Sequence, residues 1–202
     1  GIPYKYLGGT AVGGILLAII SISIKSYQRK RIMSFMNPWA DATGDGYQLV
    51  QSLLAVGSGQ TWGVGFGLSQ QKLFYLPIQD TDFIFAIFSE EFGFIGSILL
   101  LLMLAIFATL GLIIAIKSKN LTSKLVAIGV IVIMVGQSLL HIGVTTGALP
   151  TTGLPLPMFS YGGNSMISSL VSSALLIRVA RESSEAEVVT LRKTQSKNRR
   201  RR

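Results

Sequence analysis

The chain has 202 residues, half of them hydrophobic and only 13% charged, with no cysteine and one histidine. With a mean hydropathy of +0.55, this composition excludes an ordinary soluble domain, a disulfide framework, a thiolate metal site and a multi-histidine metal centre. The net charge is +9, but half of the 18 Lys and Arg residues follow Ile177, which is a topology signal at the end of a membrane segment and argues against nucleic-acid binding.

In chain order, residues 7–24 are free of charge and long enough for one spanning helix, closed by the basic cluster Lys25, Arg29, Lys30 and Arg31. Residues 25–91 change character. They are rich in Gly, Asp, Gln and Ser, with apolar patches such as LVQSLLAV that suit short helices lying against a membrane. Residues 92–116 are 25 uncharged residues, enough at about 1.5 Å per residue to cross a hydrocarbon core of about 30 Å. KSKNLTSK, Lys117 to Lys124, is a basic turn. No acid, Lys or Arg occurs from Leu125 to Ile177. That stretch divides into a span over 125–142, a Gly/Pro-rich break GVTTGALPTTGLPLPMFSYGG, and a last span over 164–180. The tail, 181–202, is basic and expected to be disordered. The chain begins with Gly-Ile-Pro rather than Met and reads as a piece of a longer protein.

The fold class expected is therefore an all-α polytopic membrane protein with about four spans and a large loop. If the tail is cytoplasmic, 13 basic residues lie inside and five outside, which makes the loop extracytoplasmic. The Lys25 to Arg31 cluster then sits on the unfavoured side. It reads either as a site for an anionic headgroup or pyrophosphate, or as a cluster that snorkels beside helices placed by other parts of the chain.

Four carboxylates, Asp80, Asp82, Glu90 and Glu91, stand at the threshold of the longest apolar run. Asp82 follows Thr81, a capping residue, and an acid in a first turn is an ordinary helix-start feature. FIFAIF follows directly, however, and a carboxylate at such a greasy boundary is a candidate general base. Glu90 and Glu91 are either part of the same groove or markers of the membrane interface. The glycines of 57–67 lack the strand and the Gly-Lys-Ser/Thr of a phosphate loop, and read as tight turns and close packing. His141, alone on an apolar helix, reads as a hydrogen-bonded core residue rather than a proton carrier. PTTGLPLPMFSYGGNS, Pro150 to Ser165, cannot form a regular helix, and irregular backbone at membrane depth is tolerated only against protein or a water-filled cavity. Ser160, Tyr161 and the N–H groups of Gly162, Gly163 and Asn164 are placed to donate to an anion or a sugar hydroxyl, unless the segment is only a re-entrant plug.

Three stretches, NPWADATGDGYQLVQSLLAVGSGQTWGVGFGLSQQKLFYLP, TDFIFAIFSEEFGFIG and LPTTGLPLPMFSYGGNS, together resemble the SEDS family (FtsW/RodA/SpoVE) over residues 20–180. The likeness is greater to its division branch, and QQKLFYLPIQ and RVARESSEAEVV are similar to cyanobacterial or plastid members. The resemblance implies a ten-helix bundle of which this chain supplies the C-terminal four, in a bacterial plasma membrane, multi-pass, at the division site. It implies a peptidoglycan glycosyltransferase that polymerises lipid II beside a class B penicillin-binding protein and other divisome proteins. Asp82, in the TDF motif, matches the family's essential carboxylate and would deprotonate the acceptor sugar hydroxyl. The substrate contacts it implies are Gln70, Lys72, Glu90, Pro150, Ser160, Tyr161, Gly162, Gly163, Arg29 and Arg31. The leaving pyrophosphate would be met by Arg29 to Arg31 and Lys72, by a basic residue elsewhere in the protein, or by a divalent cation, Mg or Mn. Two positions depart from the family pattern: PIQDTDF carries Ile78 and Asp80 where PEAHTDF is usual, and Thr152 replaces the Lys of LPTKG. Two other readings compete, a lipid II flippase and a non-catalytic scaffold that activates the penicillin-binding protein. Residues 1–202 alone are expected to be inactive.

Overall fold

The computed structural model describes residues 26–69 and 82–199, together with part of 3–17, and within these residues the only regular structure is helical. Helix α1 is Ser26–Met36, followed by a 3₁₀ turn at Pro38–Asp41 and α2, Tyr47–Ser58. Three long helices follow: α3, Ile84–Lys117, α4, Leu121–Thr145, and α5, Gly163–Arg199. α3, α4 and Gly163–Ser183 of α5 are long and apolar enough to cross a membrane. The span expected over 7–24 lies largely outside the described residues.

The boundaries differ from those read in the sequence, for local reasons. α3 begins at Ile84 rather than 92, because FIFAIF continues the apolar run toward Asp82. α4 spans 121–145 rather than 125–142, since Asn120 caps it early, its side chain accepting from the Thr122 N–H at 3.1 Å. The tail expected to be disordered continues α5 as helix to Arg199. No Gly or Pro interrupts residues 164–202, and Ala, Glu, Lys and Arg are strong helix formers.

Only Ser118, Lys119 and Asn120 separate α3 from α4, which makes the two helices antiparallel neighbours. They meet closely at Gly111, where an added Cβ would lie 2.7 Å from Ile131 Cγ1, and small residues are what allow helices to approach in lipid. Around this crossing Ala115 of α3, Ala127, Val130 and Met134 of α4, and Leu176 and Val179 of α5 form the buried core, flanked by Phe107, Ile114 and Val126. Outside it, large apolar side chains such as Phe94, Leu99, Leu102 and Ile113 are exposed, as a lipid-facing surface requires.

Neither α3 nor α4 is uninterrupted. At Gly93 α3 breaks, with φ 66° and ψ −163°, a conformation essentially reserved for glycine. The loop after α2 fills the break. The Glu90 and Glu91 carbonyls accept from Val64 and Gly65 at 2.9 and 3.2 Å, and the Phe94 and Ile95 N–H groups donate to Gln60 and Thr61 at 2.9 and 3.2 Å. The glycine-rich 59–67 stretch is thus a backbone-to-backbone dock: a Cβ at Gly63 would lie 2.1 Å from the Glu91 carbonyl oxygen. In α4 the turn Val132–Gly136 is a π-bulge, a feature that turns the residues after it to a new face.

Candidate functional site

Asp82 stands two residues ahead of α3 and is half-buried. Phe83, 3% exposed, anchors this helix start by packing on Val144 of α4 and Leu149 beyond it. Burial of that ring fixes where the preceding carboxylate can point. Opposite it runs the irregular segment 150–156. Gly153 has φ +70°, and a Cβ there would lie 3.5 Å from Asp82 Oδ2, so the backbone of this strap passes directly against the carboxylate.

A strap of irregular backbone has carbonyls that no helix satisfies, and in an apolar setting they need donors. Side chains from two helices supply them. Arg31 Nη1 of α1 donates to the Thr151 carbonyl at 2.9 Å. Gln137 Nε2 of α4 donates to Pro155 at 2.8 Å, and His141 Nδ1 lies 2.8 Å from the Leu154 carbonyl oxygen. Gln137 and His141 are four residues apart, on one helical face just past the π-bulge. Past the strap, the Leu156 N–H donates to Ser160 Oγ at 2.7 Å. Phe159 meets Phe88 of α3 edge-on, with ring centroids 5.7 Å apart. α2 is tied to the same region by Ser52, whose hydroxyl donates to the Thr145 carbonyl at 2.8 Å with both residues fully buried.

The predicted residues divide among these contacts. Asp82, Pro150 and Arg31 come together around the strap. Ser160 is 2% exposed and its hydroxyl oxygen closes a turn, so it is not presented to a cavity as the sequence suggested. Tyr161 is 81% exposed, and Gly162 and Gly163 lead into α5. Glu90 is 2% exposed, and its carboxylate accepts a hydrogen bond of 2.5 Å from Ser69 Oγ, so it secures the loop instead of lining a groove beside Asp82. Glu91 is also buried, and its Oε1 has no partner among the described residues. Gln70, Lys72, Asp80 and Thr81 lie outside the described residues, as does the Arg29 side chain. A cavity of about 350 Å³ opens next to the strap, lined by Lys30, Arg31, Tyr47, Gln48 and Thr151 among others. Lys30 is 3.6 Å from Asp45, with both side chains more than half exposed. That is the one ion pair among the described residues, so among these no cation pairs with Asp82.

Sequence reading missed Gln137, His141, Ser52 and Gly153 as members of this site. The signal available was a pair of polar residues four apart in an otherwise apolar helix, just upstream of a backbone that cannot satisfy itself.

Fold and site define a polytopic helical membrane protein in which one acid, half-buried and unpaired among the described residues, is held at a helix head against a clamped, irregular strap. The chain belongs to the Cell cycle protein family FTSW_RODA_SPOVE, whose profile matches residues 1–185. It is 61% identical over 191 residues to the Synechocystis "Probable peptidoglycan glycosyltransferase FtsW", covering 95% of this chain and 49% of that protein. It is 56% identical over 182 residues to the Mesostigma viride "Putative peptidoglycan glycosyltransferase FtsW", covering 90% and 44%. To the Bacillus subtilis "Stage V sporulation protein E" it is 44% identical over 180 residues, covering 89% and 48%. Among solved structures, a chain from work on "Structural coordination of polymerization and crosslinking by a peptidoglycan synthase complex" matches with TM-score 0.69 and 26% identity, over 91% of this chain and 51% of that one. The chain spans about half the length of each of these proteins.

Proposed function

We propose that the full-length protein is a peptidoglycan glycosyltransferase that builds glycan strands from lipid II during division, with Asp82 as its general base and a class B penicillin-binding protein as its partner. The observation that carries this reading is the position of Asp82. The carboxylate is anchored by Phe83, free of a paired cation among the described residues, and flanked by a strap whose backbone is held by side chains. A base in that state retains the lone pairs it needs.

In this mechanism Asp82 takes the proton from the 4-hydroxyl of the GlcNAc of an incoming lipid II. The oxygen attacks the anomeric carbon of the growing strand's MurNAc, a new glycosidic bond forms with inversion, and the bond to undecaprenyl pyrophosphate breaks. Negative charge gathers on the departing pyrophosphate and needs donors or cations. Lys30 and Arg31, on the cavity beside the strap, are the basic groups of the described residues that fit this need. A divalent cation would serve the same end. No three His, Cys, Asp or Glu side chains gather among the described residues, so the substrate's own oxygens would carry much of its coordination. The orientation that goes with this chemistry puts Asp82 and the loop outside the cell and the tail in the cytoplasm.

The test is lipid II polymerisation by the full-length protein with its partner, comparing wild type with Asp82→Asn at matched membrane levels and matched partner association. A loss of roughly 10²-fold or more in strand synthesis with the complex intact is expected. Normal strand synthesis by Asp82→Asn would refute the assignment and leave a flippase or a scaffold.

A further inference from the structure

One buried titratable group has no part in the mechanism above. His141 is 1% exposed and uses its two ring nitrogens unequally. Nδ1 is 2.8 Å from the Leu154 carbonyl oxygen, and since a carbonyl only accepts, Nδ1 carries the hydrogen. Nε2 is buried and has no hydrogen-bond partner among the described residues, so in the neutral ring it is a lone pair with nothing there to accept. Native structures rarely leave such an atom unsatisfied, and the exceptions call for a reason such as a catalytic role.

The surroundings supply that reason. Burial and the bond to Leu154 act on the ring most strongly, and among the described residues Asp82 is the charged group whose field also reaches it. Gly153, the neighbour of Leu154, is the residue packed on the Asp82 carboxylate. Ring, strap and carboxylate are thus one connected unit. Among the described residues the other elements around His141 contribute no competing charge. Its own helix offers Gln137, Ser138 and Thr145, α2 offers Ser52, the strap has no ionisable residue before Tyr161, and Arg31 of α1 has its Nη1 on the Thr151 carbonyl.

We propose that His141 is a positioning residue of the Asp82 site that works as the neutral imidazole: Nδ1–H holds the strap against Asp82, while Nε2 remains an acceptor and leaves the carboxylate free to act as a base. Protonating the ring converts Nε2 to a donor and adds a positive charge to the ring that clamps the strap packed on Asp82, which favours the ionised carboxylate and weakens it as a base. The strap stays clamped, but the base is weakened. This inference rests on the reading of Asp82 as the general base.

The experiment measures lipid II strand synthesis against pH for the full-length protein with its partner, as wild type, His141→Asn, His141→Leu and Asp82→Asn, at matched levels and partner association. Asn places an amide N–H where Nδ1–H stood and cannot be protonated, whereas Leu fills the space and makes no bond. His141→Asn should stay within about threefold of wild type at alkaline pH and hold its activity about one pH unit or more further into the acid range. His141→Leu should lose about tenfold or more at every pH, as expected for a lost buried hydrogen bond that orients the site. If the leucine variant fails to accumulate, the pH profile of His141→Asn decides. A His141→Asn profile that superimposes on wild type, or a His141→Leu enzyme at full rate, overturns the proposal while an inactive Asp82→Asn leaves the underlying reading standing. A fully active Asp82→Asn, or a wild-type complex that makes no strands, overturns both.

Discussion

Replacing Gly93 by Ala tests the break in α3. Glycine at φ 66°, ψ −163° holds a conformation that costs a residue with a Cβ about 1–3 kcal/mol. The new Cβ would also lie 2.3 Å from the Gly63 N and 2.7 Å from the Thr61 carbonyl oxygen, both backbone atoms with no rotamer to yield. The chain can escape by straightening. Phe94 and Ile95 would then bond back to Glu90 and Glu91 in the ordinary helical pattern, and the 59–65 loop would be expelled. Four loop-to-helix backbone bonds would be lost and two helical ones gained, a net loss of two at about 0.5–1.5 kcal/mol each. Straightening therefore destabilises the protein by about 1–3 kcal/mol, and keeping the break costs at least as much in strain. In a detergent-solubilised full-length protein that corresponds to a fall of roughly 2–12 °C in melting midpoint, together with new proteolytic cleavage between residues 59 and 69. Gly57→Ala is the control. Gly57 lies inside α2 with nothing within 4 Å of an added Cβ, so alanine there should be neutral or stabilising by up to about 1 kcal/mol. Equal melting midpoints and equal protease patterns for Gly93→Ala and Gly57→Ala would refute the docked, broken helix.

Two neighbouring cations should behave differently. Lys30→Ala removes an exposed ion pair and should change the melting midpoint by no more than the equivalent of about 0.5 kcal/mol, whereas Arg31→Ala strips the Thr151 carbonyl of its donor and should cost about 1–3 kcal/mol; equal effects would count against the clamp. Residues 1–202 hold no cysteine, so single cysteines introduced there report topology cleanly once any cysteine elsewhere in the protein is replaced. Trp62→Cys, at a position 81% exposed, should react with an impermeant maleimide on intact cells, and Lys119→Cys, in the α3–α4 turn, only after permeabilisation. The reverse pattern would invert the proposed orientation.

What the sequence made legible follows from how locally each feature is encoded. Spans could be read because apolar length is a property of one segment, and Asp82 stood out because a lone acid ahead of FIFAIF is anomalous without reference to any other residue. The irregular strap was visible for the same reason, since Pro150, Pro155, Pro157 and Gly153 forbid a helix by themselves. The break at Gly93 was not legible. A glycine within a spanning helix is common, and only the approach of Gly63, thirty residues earlier, makes this one bend. His141 reads as a hydrogen-bonded core residue and is one, but neither its partner nor that of Glu90 could be read. Each lies in a run whose partner is distant, Leu154 for one and Ser69 for the other, and a side chain's availability depends on which partner has claimed it.

The site's construction follows from one physical demand. A backbone that must pass a carboxylate closely cannot be helical there, because a helix would keep its carbonyls to itself and set its side chains between backbone and acid. Once the strap leaves the helical pattern, each buried carbonyl needs a donor, and the donors must come from rigid neighbours or the strap would drift. α4 supplies two from one face, Gln137 and His141, and the π-bulge at 132–136 marks where that face departs from the regular helical register. α1 supplies a third, Arg31, which accounts for at least one member of a basic cluster that charge asymmetry alone leaves on the wrong side. The position of Asp82 is therefore set jointly by α1, α3 and α4, through contacts that span residues 31 to 156. A substitution at Gln137 or Arg31 should disturb the chemistry without touching the acid. The distinguishing mark of such a disturbance is a lowered rate with the wild-type pH profile, whereas a change at His141 moves the profile itself.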